Sequence, residues 1–229
     1  MTNIGCRIYP EYQRPNQKLI DAFKEMPVAN IDDCMNRTAA LRPDIKRIGT
    51  DRTQLLGPAF TVKVAEGDNL MFHKAMDMAK PGDVIVIDAG GMTERSILGA
   101  IMATYCKSRG IKGIVIDGSI RDADELSDLG NFAVYAKAIT PNGPYKNGPG
   151  ELRGTISLSG IVVNPGDIIV GDGDGVIVVR PDEAEELARK TEAIMKKEYE
   201  LMQSIIKEGK YDRPWVDEKI KEIGCEIYK

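Results

Sequence analysis

The sequence lacks the residues on which several common kinds of site depend. It has a single histidine, His73, so a zinc site or catalytic triad built on several histidines cannot form within one chain. We favour an ordinary structural role for this histidine, which lies within a predicted helix. The four cysteines show no metal-binding spacing, and we interpret them as reduced thiols, with a disulfide as the alternative. They are Cys6, Cys34, Cys106 and Cys225.

Long apolar runs and an excess of basic charge are also missing. No run approaches the ~20 apolar residues of a membrane helix, and residues 1–15 have no apolar core typical of a secretory signal peptide. The 31 basic and 35 acidic residues give a net charge of −4, which disfavours general nucleic-acid binding. We therefore expect a cytoplasmic protein with neither a membrane nor a nucleic acid as its partner.

Several nucleotide, calcium and hydrolase motifs are incomplete or missing. There is no P-loop, and Gly90-Gly91 is not a dinucleotide-binding fingerprint. The glycine–aspartate turn at 171–175 lacks the downstream glutamate of a calcium loop. The serines that lie near predicted strand ends have no convincing base partner, so serine hydrolase chemistry is not expected. These serines are Ser96, Ser119 and Ser159.

The most informative segment that is present runs from residue 82 to residue 125. Two apolar runs, 84–87 and 114–116, each end in an aspartate and glycines, and a helical segment separates them. Two β-α-β units in series imply parallel strands, and we expect both strand ends to bring their polar residues to one place. Those residues are Asp88, Gly90, Gly91, Asp117, Gly118, Arg121 and Asp122.

The helix between these strands has two possible starting points. If Thr93 caps it, Gly99 lies inside the helix, where it would mark a close contact with a strand; we favour this interpretation. A later start would instead leave the N–H groups of residues 100–102 free to bind an anion.

The chain divides into three predicted regions. Residues 1–27 form an N-terminal arm, irregular over 1–15, followed by a helix. Residues 28–181 form the catalytic core, and Asn30 is expected to cap its first short helix. Residues 182–229 form a helix of about 25 residues, ~38 Å long, and a tail that we expect to contact another subunit. Within the core, the Gly- and Pro-rich loop 140–150 has a length typical of functional or flexible loops.

Arg121-Asp122 is the strongest candidate for chemistry. Arginine offers a planar fork for a carboxylate or an enolate, and aspartate is a hard oxygen ligand suited to Mg²⁺, Mn²⁺ or another divalent cation. Alternatively, Asp122 only caps the helix that follows, and Arg121 is a surface charge.

Five segments, in this order and spacing, carry a family resemblance across residues 28–200. They are GDVIVID, G-x-x-M at 99–102, IDGSIRD at 116–122, TPNGPYKNGPGE and GIVVNPGDIIVGDGDGVIVV. The chain resembles the family of 4-hydroxy-4-methyl-2-oxoglutarate aldolase and regulator of ribonuclease activity A. The resemblance implies a single-domain α/β fold of the swivelling α/β/β/α type. It also implies trimers or hexamers with active sites at subunit interfaces.

The resemblance further implies a metal-dependent lyase that cleaves or decarboxylates a short oxo acid, such as a 4-hydroxy-2-oxo acid or oxaloacetate, through a pyruvate enolate. Asp122 would be the metal ligand, and Arg121 would bind substrate and stabilise the enolate. Backbone N–H groups would hold the pyruvyl carboxylate, and they belong to Gly99, Ala100, Ile101 and Met102.

The chain departs from one aldolase pattern at Ala100, where that pattern has an aspartate. Glu125 fits a variant pattern with an acidic residue three positions after Asp122. We expect Glu125 to lie on the same helix face as Asp122 and to steer a metal-bound water. Retention of Asp122 favours metal chemistry over a non-catalytic, protein-binding regulator of ribonuclease. An enzyme with another oxo-acid or sugar-acid substrate remains a third hypothesis.

Overall fold

The computed structural model describes residues 3–50 and 52–228. This part of the chain contains twelve strands and seven helices. The strands are β1 Cys6–Ile8, β2 Lys46–Arg47, β3 Leu55–Val64, β4 Val84–Asp88, β5 Ser96–Leu98, β6 Gly113–Ile120, β7 Ala133–Ile139, β8 Gly150–Leu152, β9 Ile156–Leu158, β10 Ile161–Val163, β11 Ile168–Gly171 and β12 Val176–Val179. The helices are α1 Gln17–Asp21, α2 Val28–Cys34, α3 Leu70–Met78, α4 Ala100–Ser108, α5 Ala123–Asp128, α6 Ala184–Glu208 and α7 Pro214–Glu222.

A central sheet organises the fold in the order β1-β8-β3-β4-β6-β7-β2. Strands β3, β4, β6 and β7 pair in parallel, which confirms the parallel strands predicted from the two β-α-β units. The apolar runs in β4 and β6 are buried because both faces of this part of the sheet are covered, as is usual for parallel strands.

A second β layer packs on the sheet through β3, whose first half pairs with β11 and whose second half pairs with β8. The hairpin β11–β12 alternates its side chains between two cores. Ile169 and Val178 face the central sheet, whereas Ile168 and Val179 face helices α1, α2 and the start of α6. Helices α3, α4 and α5 cover the other face of the central sheet. The layers are therefore α/β/β/α, as the resemblance implied.

Two predictions about the N-terminal region are wrong. Residues 6–8 are not irregular, because they pair in parallel with β8 and so extend the sheet; a three-residue edge strand has too little alternation to be recognised from sequence. Asn30 does not cap a helix but lies buried within α2. That helix starts at Val28, three residues earlier than predicted, because Pro27 has the extended backbone that precedes a helix.

The predicted C-terminal helix is present as α6, which has 25 residues. The chain forms two compact units, one up to Thr191 and one from Glu192 onwards. All twelve strands belong to the first unit. Among the described residues, no helix combines the length and the apolar character needed to cross a membrane.

Candidate active site

Helix α4 begins at Ala100, so the prediction that Thr93 caps it is wrong. Residues 96–98 form strand β5, which pairs in parallel with the end of β6. The Thr93 carbonyl accepts a hydrogen bond from the Ser119 hydroxyl at 2.6 Å, and Gly99 takes the N-cap position with extended backbone. The apolar pair Ile97 and Leu98 suggested a helix face, but both side chains are buried within a strand.

The pairing of β5 with β6 brings the start of α4 against the Arg121-Asp122 pair. The Arg121 N–H donates to the Leu98 carbonyl at 2.9 Å. Asp122 then adopts left-handed backbone, with φ of 59°, and its Oδ2 accepts a hydrogen bond from the Ala100 N–H at 2.9 Å. The Arg121 Nε lies 3.7 Å from the same oxygen. The Asp122 carboxylate therefore binds the N-terminus of α4, the preceding helix, and does not cap α5, the helix that follows it.

Gly99 is required by this close approach. A Cβ atom at position 99 would lie 2.5 Å from Asp122 Oδ2 and 3.1 Å from Arg121 Nε. The missing side chain therefore leaves room for the carboxylate, the guanidinium and the first turn of α4 to meet.

A cavity of about 160 Å³ opens beside this meeting point. At ~30 Å³ per water molecule, it has room for a small organic acid rather than a large cofactor. Helix α3, strand β5, the first turn of α4, Arg121 and the loop 140–150 form its walls. The lining residues are Asn69, His73, Ser96, Ile97, Leu98, Gly99, Ile101, Met102, Arg121, Pro144 and Lys146.

The loop 140–150 is held against the cavity by specific contacts. The backbone N–H and hydroxyl of Ser96 both donate to the Asn142 carbonyl, at 2.9 and 2.7 Å. The Arg95 guanidinium donates to the Gly143 carbonyl at 3.0 Å and lies 4.1 Å from the centre of the Tyr145 ring. These contacts position Lys146 on the cavity wall, which the sequence did not predict.

The electrostatics of the cavity favour an anion. Arg121 and Lys146 supply positive charge, and the first-turn N–H groups of Ile101 and Met102 have no partners within the helix. The pKa of His73 is lowered, mainly by burial and also by the Lys146 ammonium. The cavity thus brings together four of the predicted substrate-binding residues, whereas the N–H of the fifth, Ala100, is already bonded to Asp122.

The geometric argument for Glu125 does not hold. Asp122 precedes α5 with left-handed backbone, so the side chains at 122 and 125 do not follow helical spacing. Glu125 is exposed in the first turn of α5 and does not line the cavity. Its role in steering water stays a prediction.

The predicted polar residues do not gather at one place, because Arg121 and Asp122 lie apart from Asp88 and Asp117. Asp88 and Asp117 are neighbours in register, but β6 continues to Ile120. Arg121 therefore lies four residues, or roughly 13 Å, further along the strand. Asp117 Oδ1 instead lies 2.7 Å from the Lys137 ammonium, and its Oδ2 accepts from the Ser159 N–H at 3.2 Å.

A divalent metal fits the site only with help from water and substrate. No group of three or more His, Cys, Asp or Glu side chains in the described residues is arranged to hold a metal ion. Asp122 places a carboxylate beside the first turn of α4, with Oδ2 bonded to the Ala100 N–H and the side chain 37% exposed. Mg²⁺ commonly binds through one or two carboxylates while keeping several waters, so this donor set suits it.

Comparison with known proteins identifies the family and supports the fold. The family model described as RraA-like, Aldolase/RraA, matches residues 19–178. The chain belongs to the RraA-like family. A relative from Halalkalibacterium halodurans is 41% identical over 171 residues, which are 75% of this chain and 80% of the relative. It is named “Putative 4-hydroxy-4-methyl-2-oxoglutarate aldolase”.

Two solved structures show the same RraA-like architecture. An uncharacterized protein from Pseudomonas syringae pv. tomato has a TM-score of 0.76 at 25% identity, covering 86% of this chain and 96% of that chain. The RNA-processing inhibitor RraA from Thermus thermophilus has a TM-score of 0.61 at 27% identity, and the match covers 68% of this chain and 93% of that chain. The family therefore contains proteins named as aldolases and proteins named as regulators.

Proposed function

We propose that this RraA-like protein is a carbon–carbon lyase that splits a short 4-hydroxy-2-oxo acid into pyruvate and a second carbonyl compound. The observation that carries the proposal is the convergence of the α4 N-terminus, Arg121 and Asp122 at one small, positively charged cavity. The aldolase name of the 41% identical relative supports this choice of reaction. Decarboxylation of oxaloacetate is a related activity, since it passes through the same enolate.

The chain's own residues would bind and polarise the substrate. The N–H groups of Ile101 and Met102 would receive the pyruvyl carboxylate, aided by the positive end of α4. The Arg121 guanidinium, on the same cavity wall, would then face the oxo group and stabilise the negative charge that develops there as the bond breaks.

Asp122 has two tasks in this proposal. Its Oδ2 holds the Ala100 N–H and so fixes the first turn of α4 against Arg121. Asp122 would also hold a divalent cation, Mg²⁺ or another metal of similar preference, which when bound supplies Lewis-acid stabilisation of the enolate.

Two competing hypotheses remain. The similarity to the RNA-processing inhibitor RraA favours a non-catalytic role in protein binding, and the side chain of Ile101, 85% exposed beside the cavity, offers apolar surface for such a role. An enzyme for a different oxo-acid or sugar-acid substrate would bind the substrate's carboxylate at the same anion site. Groups in the loop 140–150 would then contact the rest of that substrate. The built cavity with its arginine and carboxylate favours catalysis.

Pyruvate release is the direct test. Purified protein is offered a panel of 4-hydroxy-2-oxo acids and oxaloacetate after exhaustive chelation, with and without added Mg²⁺. We expect Mg²⁺-dependent release. Full activity after chelation would exclude the metal, and no release from any substrate would favour the binding role.

The metal assignment is tested with Asp122→Asn. The amide oxygen of asparagine can still accept from the Ala100 N–H, and asparagine tolerates left-handed backbone, so the fold should be kept while the charge is lost. Turnover and Mn²⁺ binding measured by calorimetry should both be abolished. Asp124→Asn, at an exposed position in the first turn of α5, is the matched control; equal behaviour of the two variants would refute the assignment.

A further inference from the structure

One wall of the cavity has no task in the mechanism proposed so far. Asn69, the N-cap residue of α3, and His73, in the first turn of that helix, both line the cavity. The His73 N–H donates to the Asn69 carbonyl at 3.0 Å, so the two residues lie one turn apart. This wall also carries polar groups that the rest of the protein leaves unused.

The orientation of the Asn69 amide is fixed by its partners. Its Nδ2 donates to the Ile97 carbonyl at 3.1 Å and lies 3.5 Å from the Met102 sulfur. Because a carbonyl can only accept, Oδ1 must be the other amide atom. That oxygen is buried and has no hydrogen-bond partner among the described residues. Buried polar atoms are nearly always bonded, so this wall is suited to a ligand that brings a donor.

The His73 imidazole is the second unused group. It is half-buried and makes no hydrogen bond to another described residue. Burial and the Lys146 ammonium lower its pKa, Asp77 on the same helix opposes them, and Arg121 adds positive charge to the same cavity. The ring is therefore neutral at pH 7, with one nitrogen lone pair able to take a proton.

We propose that His73 is the acid–base residue of the lyase reaction, an inference that rests on the proposed function. The neutral ring takes the proton of the C4 hydroxyl. The C3–C4 bond then breaks, C4 becomes a carbonyl, and the electron pair of the broken bond passes into the pyruvate enolate. The imidazolium returns the proton to C3, which gives the methyl group of pyruvate. No co-reactant is needed, because the proton that leaves the hydroxyl ends on carbon.

His73→Gln tests this role, since glutamine keeps polarity and approximate size but cannot act as a base. We expect kcat for cleavage of the hydroxy-oxo acid to fall on the order of 10²-fold or more, the scale of general acid–base catalysis. Competitive inhibition by pyruvate should be unchanged, because the carboxylate site is intact. The acid limb of the wild-type kcat/KM profile, which reflects protonation of a histidine with a lowered pKa, should disappear in the variant.

Two further variants keep the result interpretable. Lys74→Gln, at an exposed neighbouring position off the cavity wall, should behave as wild type. His73→Ala should regain part of its activity when imidazole is added, which a purely structural histidine would not allow. If His73→Gln keeps both the wild-type kcat and the acid limb, His73 is not the acid–base residue while the lyase function stands. If the wild-type protein releases no pyruvate at all, both proposals fall together.

Discussion

At the scale of single residues, the site depends on backbone positions that few residues can occupy. Asp122 adopts a left-handed conformation that is uncommon outside glycine, asparagine and aspartate. That conformation turns its carboxylate back to the Ala100 N–H. Gly99 provides the space into which the carboxylate turns. The two residues therefore act as a pair, and a change at either should alter the catalytic geometry more than the fold.

Gly99→Ala tests this dependence. The new Cβ would lie 2.5 Å from Asp122 Oδ2, so the carboxylate or the first turn of α4 must move. Because a misplacement of about 1 Å can cost roughly 10²-fold in rate, we expect kcat/KM for pyruvate release to fall by that order. Gly173→Ala, where a Cβ meets no atom within 4 Å, is the control and should be unaffected. Full activity in Gly99→Ala would show that the contact is dispensable.

At the scale of elements, an ion pair joins β6, β7 and the turn between β9 and β10. Asp117 on β6 contacts the Lys137 ammonium on β7 and accepts from the Ser159 N–H in that turn. The side chain of Asp117 is 9% exposed and that of Lys137 is 19% exposed. The hydrogen bond that the Lys137 ammonium donates to Asp117 is the main cause of the raised Lys137 pKa, with a smaller contribution from Asp44. The pair therefore stabilises the packing of the β9–β10 hairpin on the central sheet.

Lys137→Met should destabilise the protein in a pH-dependent way. At pH 8 we expect a loss of about 2 kcal/mol, less than for a fully buried pair because the ammonium keeps some contact with solvent. A raised folded pKa means that this contribution is complete below the ordinary value of 10.5 and is lost as the pH rises through the folded pKa. In urea denaturation, the difference in the free energy of unfolding between wild type and variant should shrink above pH 10.5.

Lys63→Met, at an exposed lysine of β3, provides the reference for removing a strand lysine. It should show a much smaller stability loss than Lys137→Met at pH 8. A loss in the free energy of unfolding that stays constant up to high pH in Lys137→Met, relative to wild type, would contradict the ionic role.

At the scale of the whole molecule, burial and surface composition point to self-association. The buried residues of α6 all lie at or before Thr191, and α7 has none. Beyond that position the chain exposes large apolar side chains, including Met202, Ile206 and Trp215. Exposed apolar surface of this kind commonly marks an interaction site, and the trimer or hexamer stays a prediction.

Light scattering should therefore give a trimer or a multiple of three for the full chain. Ending the chain after Thr191 removes no buried residue of α6 or α7, so thermal unfolding should stay cooperative. The particle mass should fall to that of an assembly with fewer chains. A monomeric and active full-length protein would contradict the oligomer. An unchanged number of chains after truncation would show that residues 192–229 are not the contact.

The sequence by itself determined the features that arise from neighbouring residues. Continuous apolar runs predicted that β4 and β6 are buried parallel strands. Apolar residues spaced three and four apart predicted the whole of α6. The Arg121-Asp122 pair after a strand and a glycine turn indicated the candidate site, and the order of five segments indicated the family, which the family model confirms. Such signals are local, because periodicity and turn chemistry act over a few residues.

Only the tertiary structure decided how distant segments meet. The pairing of β5 with β6 set the start of α4 and placed its Ala100 N–H on Asp122, 22 positions away. The continuation of β6 beyond Asp117 divided the expected polar cluster in two. Helix α3 and the loop 140–150 brought His73 and Lys146 to the cavity. No local pattern records these contacts, because they follow from strand register and layer packing, which join residues far apart in the chain.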